Sequence, residues 1–181
     1  MVDSAKITVV GSGYVGMSLA VLLAQHNDVT ILDIDTSRVD KVNAKQSTVV
    51  DNEIESFLTE KKLCLMATID KQAAYKNASF IIVATPTNYD PETNRFDTSS
   101  VDSVVDDALA LNKSALVVIK STIPVGHTKY LQQKYDINRI IFSPEFLLNF
   151  SERGRRLKTI FTPHELLSAV SWMRLKPLLT C

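Results

Sequence analysis

The sequence predicts an α/β fold with a parallel sheet, because short β-branched runs alternate with segments of helical periodicity. Its 181 residues are 45% hydrophobic, enough for one domain with a sizeable core. Twenty basic side chains balance 20 acidic ones, so charge gives no reason to expect nucleic acid or an anionic membrane as a partner. No apolar segment approaches the length of a membrane span. The two distant cysteines, Cys64 and Cys181, form neither a disulfide framework nor a metal site, so we expect a cytoplasmic location.

The order of the elements follows from these patterns. The first strand, residues 7–10, is an uninterrupted apolar run, so we expect it to be buried on both faces. Five further strands are expected at residues 29–33, 63–66, 80–84, 115–119 and 139–142. Helices are expected from the glycine-rich turn to about Gln25, then at residues 38–43, 52–61, 71–76, 101–111 and 128–135. Six strands that alternate with helices in this order complete a Rossmann-type doubly wound sheet by about residue 143.

A glycine motif of the form G-x-G-x-x-G follows the first strand and opens the first helix, in the order Gly11, Ser12, Gly13, Tyr14, Val15, Gly16. In this context the first glycine permits a tight turn and the second lets the backbone approach a pyrophosphate. The third lets the helix pack closely on the strand, with its N-terminus facing the phosphates. The motif predicts dinucleotide binding in preference to a purely structural turn.

The end of the second strand carries Asp33, and Arg38 follows five residues later. A carboxylate at the end of this strand can accept a hydrogen bond from a ribose hydroxyl and repel a 2′-phosphate. This favours NAD over NADP. Arg38 leaves the preference open, because a guanidinium can either bind such a phosphate or flank the adenine.

Two more polar turns follow strands of the predicted sheet. Residues 84–88 follow the fourth strand and residues 120–126 follow the fifth. Taken alone, each could be an ordinary polar turn. Because the carboxyl ends of parallel strands meet at one edge of the sheet, the three turns are expected to converge on one crevice.

Four segments together resemble the UDP-glucose 6-dehydrogenase family, within the UDP-glucose/GDP-mannose dehydrogenases: residues 11–16, 84–88, 121–126 and 142–147. The resemblance covers residues 6–147, and this part corresponds to the N-terminal, NAD-binding half of the family. It implies oxidation of UDP-glucose to UDP-glucuronate by two NAD and water. The residues that it places at or beside NAD are Gly11, Gly13, Tyr14, Val15, Gly16, Asp33, Arg38, Thr87 and Thr122.

The resemblance also implies catalytic roles for Thr122 and Glu145, with Thr122 placing a water that the carboxylate activates. A solvated loop carboxylate is the alternative for Glu145. The family's nucleophilic cysteine, in a G-G-x-C-like loop, belongs to a second half, as does the helix of its homodimer interface. Neither cysteine here fits: Cys64 lies in a strand-like run and is expected to be a small core residue, and no glycine-rich loop precedes Cys181.

The segment 148–181 does not continue the family pattern in the frame that is translated. Shifting the reading frame, with free choice among synonymous codons, lets residues 146–169 encode a second S-P-E-F-L and a family-like continuation. We therefore expect a NAD-binding domain at residues 1–147 and an out-of-frame tail at 148–181 that has no native structure. The apparent capping box at Thr162–Glu165 and the basic cluster around Arg155 are then accidental.

Three interpretations of the whole chain follow. The preferred one is a truncated dehydrogenase that retains the NAD-binding domain and is inactive alone. The second is a working dehydrogenase, either by complementation with a separately translated second half or by restoration of the frame. The third is an interaction module in which the tail recruits a partner, and deletion or scrambling of the tail would distinguish it.

The frame-shift interpretation makes a prediction about the gene. The codons around residues 143–147 should be followed by a second copy of the same nucleotides, with a length that is not a multiple of three. The missing half should be encoded downstream in the shifted frame. Sequencing the gene from the codon of Phe142 to beyond the stop checks this, and absence of the repeat would mean that the tail is a genuine protein segment.

Overall fold

The computed structural model describes residues 4–90 and 95–144. Its main sheet has six parallel strands, in the spatial order β3-β2-β1-β4-β7-β8. These strands are β1 (Lys6–Val10), β2 (Asp28–Leu32), β3 (Leu65–Thr68), β4 (Phe80–Val83), β7 (Leu116–Ile119) and β8 (Ile140–Phe142). The predicted Rossmann-type fold of about six strands is confirmed. The segment 148–181, expected to have no native structure, lies outside the described residues.

Helices connect the strands of the sheet. They are α1 (Tyr14–Leu23), α2 (Thr36–Asn43), α3 (Asn52–Glu60), α4 (Lys71–Tyr75), α5 (Ser99–Leu111) and α6 (His127–Tyr135). A second, two-stranded sheet pairs β5 (Asn88–Asp90) antiparallel to β6 (Arg95–Asp97). The sequence analysis assigned no strand to either segment. Within residues 4–90 and 95–144, no helix is both long and apolar enough to cross a membrane.

The central strand β1 is buried along almost its whole length. Ile7, Val9 and Val10 are at most 6% exposed, as the prediction of burial on both faces requires. Thr8 is buried as well, and its hydroxyl donates a hydrogen bond to the Ala74 carbonyl. This bond satisfies a polar group that would otherwise cost free energy in the core.

The chain reverses its winding direction between β1 and β4. From β1 it moves outward through β2 and β3, then returns to β4 on the other side of β1 and continues to β7 and β8. The register pairs Val10 with both Leu32 and Val83, so three strands end level with one another. The loops that leave β1 and β4 therefore diverge, and this opens a crevice at the carboxyl edge.

The core on one side of the sheet depends on the apolar stripe of α5. Val101, Val105, Ala108 and Leu109 recur at helical spacing, and all four are buried against β4, β7 and their neighbours. The opposite face of this helix carries aspartates. This division fixes the rotation of α5 about its axis.

Three helices begin with an aspartate cap. The carboxylates of Asp35, Asp51 and Asp70 accept hydrogen bonds from backbone N–H groups in the first turns of α2, α3 and α4. Such caps satisfy donors that have no partner within the helix. At Asp35, hydrogen bonds from the Ser37 hydroxyl and backbone N–H hold the pKa of the carboxyl below its usual range.

The third strand differs from its prediction. It lies at Leu65–Thr68, two residues later than expected, because its register with β2 pairs Leu65 with Val29 and Thr68 with Leu32. Cys64 therefore precedes the strand, and its side chain is exposed. The prediction that Cys64 is a small core residue is wrong, because β3 is an edge strand with only one neighbour in the sheet.

A buried amide joins three elements at the amino edge of the sheet. The Asn112 side chain, 5% exposed, donates to the carbonyls of Tyr75 and Ala78 over 2.7 and 2.9 Å. It accepts from the backbone N–H groups of Ser114 and Ala115 over 2.9 and 2.8 Å. One residue thus ties the end of α5 to the turn before β4 and the entry to β7.

Replacing Asn112 with alanine should strongly destabilise the domain. The substitution leaves buried backbone groups without partners, so we expect the free energy of unfolding to fall by about 3 kcal/mol or more. Chemical denaturation followed by circular dichroism measures the change.

The matched control is Asn43→Ala. Asn43 makes two hydrogen bonds to Ala67 from an exposed position, so its loss should cost only about 1 kcal/mol. Equal losses for the two variants would contradict the role assigned to the buried amide.

Candidate functional site

The glycine loop packs tightly against the sheet at two of its glycines. Gly11 has φ +97°, and a Cβ added there would lie 2.7 Å from the Ala84 carbonyl oxygen. A Cβ on Gly16 would lie 1.9 Å from the Gly11 carbonyl oxygen. Both positions therefore require glycine for internal reasons: a left-handed turn at one and close approach of α1 to the loop at the other.

Gly13 differs from its two neighbours in the motif. Its φ is −75°, which any residue adopts, and an added Cβ would meet nothing within 4 Å. Internal packing thus gives no reason for glycine here, whereas a ligand that approaches the backbone does. No side chain caps α1 at Gly13, in contrast to the aspartate caps of α2, α3 and α4. An N-terminus without a side-chain cap leaves the first N–H groups of α1 available to a phosphate.

Asp33 lies beside this loop, 9% exposed, just after β2. Its Oδ2 accepts hydrogen bonds from the Ser12 backbone N–H over 2.8 Å and from the Ser12 hydroxyl over 2.5 Å. Its Oδ1 accepts from the Asp35 N–H over 3.1 Å. Sequence reasoning did not single out Ser12, although a hydroxyl residue inside the motif and a carboxylate at the end of β2 were both visible.

The segment between α2 and α3 also contacts the glycine loop. The Thr48 hydroxyl donates to the Ser12 carbonyl, and the Tyr14 hydroxyl reaches the Val50 carbonyl at 3.4 Å. Tyr14 is 56% exposed, and Val15 is half-buried. Both predicted residues therefore lie at the start of α1, with Tyr14 on its solvent side.

Arg38 lies in the first turn of α2, on the surface. Its Nε is 3.7 Å from Asp35 Oδ2, and both side chains are close to half-exposed. An exposed pair of this kind contributes little to stability. The guanidinium lies beside Asp35, two residues beyond Asp33.

The loops after β4 and β7 are joined directly. The Ser121 hydroxyl donates to the Thr85 carbonyl over 2.6 Å, and Ser100 on α5 donates to the Pro86 carbonyl over 2.8 Å. The predicted site residues Thr87 and Thr122 lie on these two loops, half-buried and exposed respectively. The predicted convergence of the two turns is thus observed.

A buried lysine lies at the same edge. Lys120 is 8% exposed, and its ammonium group is 3.4 Å from the Ser143 hydroxyl beyond β8. This contact joins the ends of β7 and β8. Glu145, the predicted catalytic carboxylate, lies outside the described residues.

The first turns of α5 and α6 are bridged by a pair that the sequence analysis did not predict. His127 Nε2 lies 2.7 Å from Asp102 Oδ1, and Thr98 donates to the other oxygen of Asp102 over 3.1 Å. His127 opens α6 immediately after the loop that carries Thr122. The pair joins residues 25 positions apart, so only the fold brings them together.

Apolar side chains surround the crevice and face solvent. Ile34 is 96% exposed and Val50 is 87% exposed on the β2 side, and Val125 is fully exposed in the loop after β7. Phe142, at the end of β8, is 41% exposed. Exposed apolar groups at the carboxyl edge of the sheet favour a surface that binds a ligand or another part of a protein. Within the described ranges, no cluster of three or more His, Cys, Asp or Glu side chains could hold a metal ion.

Comparison with known families gives an independent assignment. Residues 5–164 match the model for the NAD binding domain of the UDP-glucose/GDP-mannose dehydrogenase family. A UDP-glucose 6-dehydrogenase from Streptococcus pneumoniae is 49% identical over 142 residues, which cover 78% of this chain and 36% of that protein. A UDP-glucose 6-dehydrogenase from Campylobacter jejuni is 43% identical over 144 residues, covering 78% and 37%. The chain thus spans little more than a third of these relatives.

Solved structures show the same fold at lower identity. A UDP-glucose dehydrogenase from Pyrobaculum islandicum superposes with a TM-score of 0.67 at 23% identity, over 87% of this chain and 38% of that one. A GDP-mannose dehydrogenase from Pseudomonas aeruginosa gives the same TM-score at 22% identity, over 85% and 37%. At this identity the likeness concerns the fold alone.

The second and third glycines of the motif should respond differently to substitution by alanine. Gly16→Ala should lower the free energy of unfolding by about 2 kcal/mol or more, because its Cβ overlaps a backbone oxygen. Gly13→Ala should change stability by less than about 1 kcal/mol, because its Cβ points into open space. The affinity of Gly13→Ala for NAD should nevertheless fall at least about tenfold, about 1.4 kcal/mol, because the methyl group occupies the space through which the backbone is approached.

Thermal unfolding and calorimetric titration with NAD measure the two quantities. Each variant controls for the other, since both add one methyl group to the same glycine motif. Unchanged NAD affinity in a folded Gly13→Ala protein would contradict the site.

Proposed function

This chain belongs to the UDP-glucose/GDP-mannose dehydrogenase family, and from that premise we propose that it is the NAD-binding half of a UDP-glucose 6-dehydrogenase. The observation that carries the proposal is the glycine loop. Its middle glycine is open to a ligand, while Gly11 and Gly16 are required by packing. Asp33 lies beside the same loop.

Each residue of this site has a definite task in the proposal. The N–H groups at the start of α1, beside Gly13, bind the pyrophosphate of NAD. Asp33 accepts a hydrogen bond from a hydroxyl of the adenosine ribose, and its charge disfavours a 2′-phosphate. Arg38, in the first turn of α2, and Thr87, in the loop after β4, flank the dinucleotide in this proposal. NAD, when bound, supplies the acceptor for a hydride.

The proposed reaction of the complete enzyme is the oxidation of UDP-glucose to UDP-glucuronate. Two NAD would supply the acceptors for two hydrides from the sugar carbon, one water would supply the second carboxylate oxygen, and the protons released would pass to solvent. In this scheme Thr122 places the water, and Glu145 takes its proton. The exposed position of Thr122 at the carboxyl edge supports a role toward substrate.

We propose further that this chain does not complete the reaction by itself. The family's aldehyde step needs a nucleophilic thiol in a glycine-rich loop. Cys64 instead precedes the edge strand β3, at the amino edge of the sheet and opposite the crevice. Cys181 follows Leu178, Leu179 and Thr180.

The proposal also covers the origin of residues 148–181 and a cytoplasmic location of the protein. Residues 148–181 are taken as the family's continuation translated in a shifted frame, which the codon argument supports. A cytoplasmic setting suits the exposed free thiol of Cys64, since exposed thiols persist in reducing compartments.

A second candidate function is an active dehydrogenase formed by complementation with a separately made second half. The exposed apolar side chains around the crevice favour it, because Ile34, Val125 and Phe142 present a surface that another protein segment could cover. Restoration of the reading frame would give the same enzyme as a single chain.

The proposal predicts NAD binding without turnover. At 100 times its dissociation constant, NAD should stabilise the 181-residue chain by about 2.7 kcal/mol and raise its melting temperature. The purified chain, given UDP-glucose and NAD, should form no UDP-glucuronate. Differential scanning fluorimetry and chromatographic product analysis measure the two outcomes.

The matched control for binding is Gly13→Ala, whose melting temperature should respond less to NAD. A melting curve that millimolar NAD leaves unmoved would contradict NAD binding. Formation of UDP-glucuronate by the chain alone would contradict the proposed inactivity and leave NAD binding intact.

A further inference from the structure

The contact between Ser12 and Asp33 has a consequence for cofactor choice. Ser12 is 1% exposed and donates twice to the same carboxylate oxygen, through its backbone N–H over 2.8 Å and its hydroxyl over 2.5 Å. Two donors from one buried residue fix both the position and the rotation of a carboxylate. Hydrogen bonds to a charged acceptor are stronger than those between neutral groups.

The two oxygens of Asp33 consequently differ in what they can still bind. A carboxylate offers about four lone-pair sites. Oδ2 uses two of them on Ser12, and Oδ1 uses one on the Asp35 N–H at 3.1 Å. Oδ1 therefore keeps one site for a further donor, such as a ribose hydroxyl.

Ser12 is itself held from the other side. The Thr48 hydroxyl donates to the Ser12 carbonyl, so the segment between α2 and α3 restrains the serine that restrains Asp33. Since Ser12 and Thr48 are 36 residues apart, the chain of contacts joins three separate parts of the sequence. The direction of the Asp33 charge is thus fixed before any ligand binds.

We propose that Ser12 is a positioning residue that sets the preference for NAD over NADP by fixing the orientation of the Asp33 carboxylate. The proposal rests on the proposed function, in which Asp33 accepts from the adenosine ribose. A fixed carboxylate keeps an acceptor ready for the hydroxyl of NAD. It also cannot rotate away from the 2′-phosphate of NADP, and rejection by like charge needs such a fixed group.

The variant Ser12→Ala separates positioning from packing. It removes the hydroxyl and leaves the backbone N–H bonds of Ser12 to Oδ2 and of Asp35 to Oδ1, so the carboxylate remains charged and is held by two donors instead of three. We expect NAD affinity to fall about tenfold and NADP affinity to stay about the same. The ratio of the two affinities should therefore drop about tenfold, whereas a merely structural role would weaken both dinucleotides equally.

The experiment uses the 181-residue chain and calorimetric titration with NAD and with NADP, with melting temperatures recorded for every variant. Ser114→Ala is the matched control, because Ser114 also donates its hydroxyl to a side-chain oxygen, that of Asn112, at the amino edge of the sheet. Its affinity ratio should equal that of the wild type. Thr48→Ala should shift the ratio in the same direction as Ser12→Ala, by a smaller factor.

Three outcomes would overturn the inference in distinguishable ways. Equal weakening of both dinucleotides in Ser12→Ala assigns the serine a structural role and leaves the proposed function intact. An unchanged ratio in Asp33→Asn shows that Asp33 does not discriminate at the ribose. Absence of NAD binding by the wild-type chain removes the proposed function and this inference together.

Discussion

The close approach of α1 to the first turn of the sheet is the constraint on which the site depends. The Gly11 turn rests against the Ala84 carbonyl, and Gly16 lets α1 lie directly on that turn. Without these two contacts, the start of α1 could not lie over the crevice between β1 and β4. The same contacts place Ser12 beside Asp33. The backbone geometry of the glycine loop therefore also determines where the Asp33 carboxylate lies.

The remaining parts of the crevice are held by hydrogen bonds between loops instead of by the sheet. Ser121 and Ser100 tie the loops after β4 and β7 together, and the His127–Asp102 pair joins the helices that follow. The loops after β4 and β7 thus form one continuous surface. The doubly wound order makes this possible because β1, β4 and β7 are neighbours.

The sequence predicted the sheet and the glycine loop well, because apolar runs and the glycine motif are local patterns. The prediction failed where contacts between residues far apart in the sequence determine the structure. Cys64 has an apolar neighbourhood in the sequence, yet the register of an edge strand leaves it exposed. The contacts of Ser12 with Asp33 and of His127 with Asp102 join residues 21 and 25 positions apart, and no spacing rule reveals such pairs. The short strands β5 and β6 were missed for the same reason.

The buried amide of Asn112 lies at the amino edge of the sheet, at the opposite ends of the strands from the crevice. The residues that stabilise the domain and the residues that we propose to bind NAD therefore lie at opposite ends of the same strands. Changes in the loops at one end leave the anchoring network at the other end untouched. Substitutions at the carboxyl edge can therefore change the specificity for dinucleotides or partners while the fold is retained.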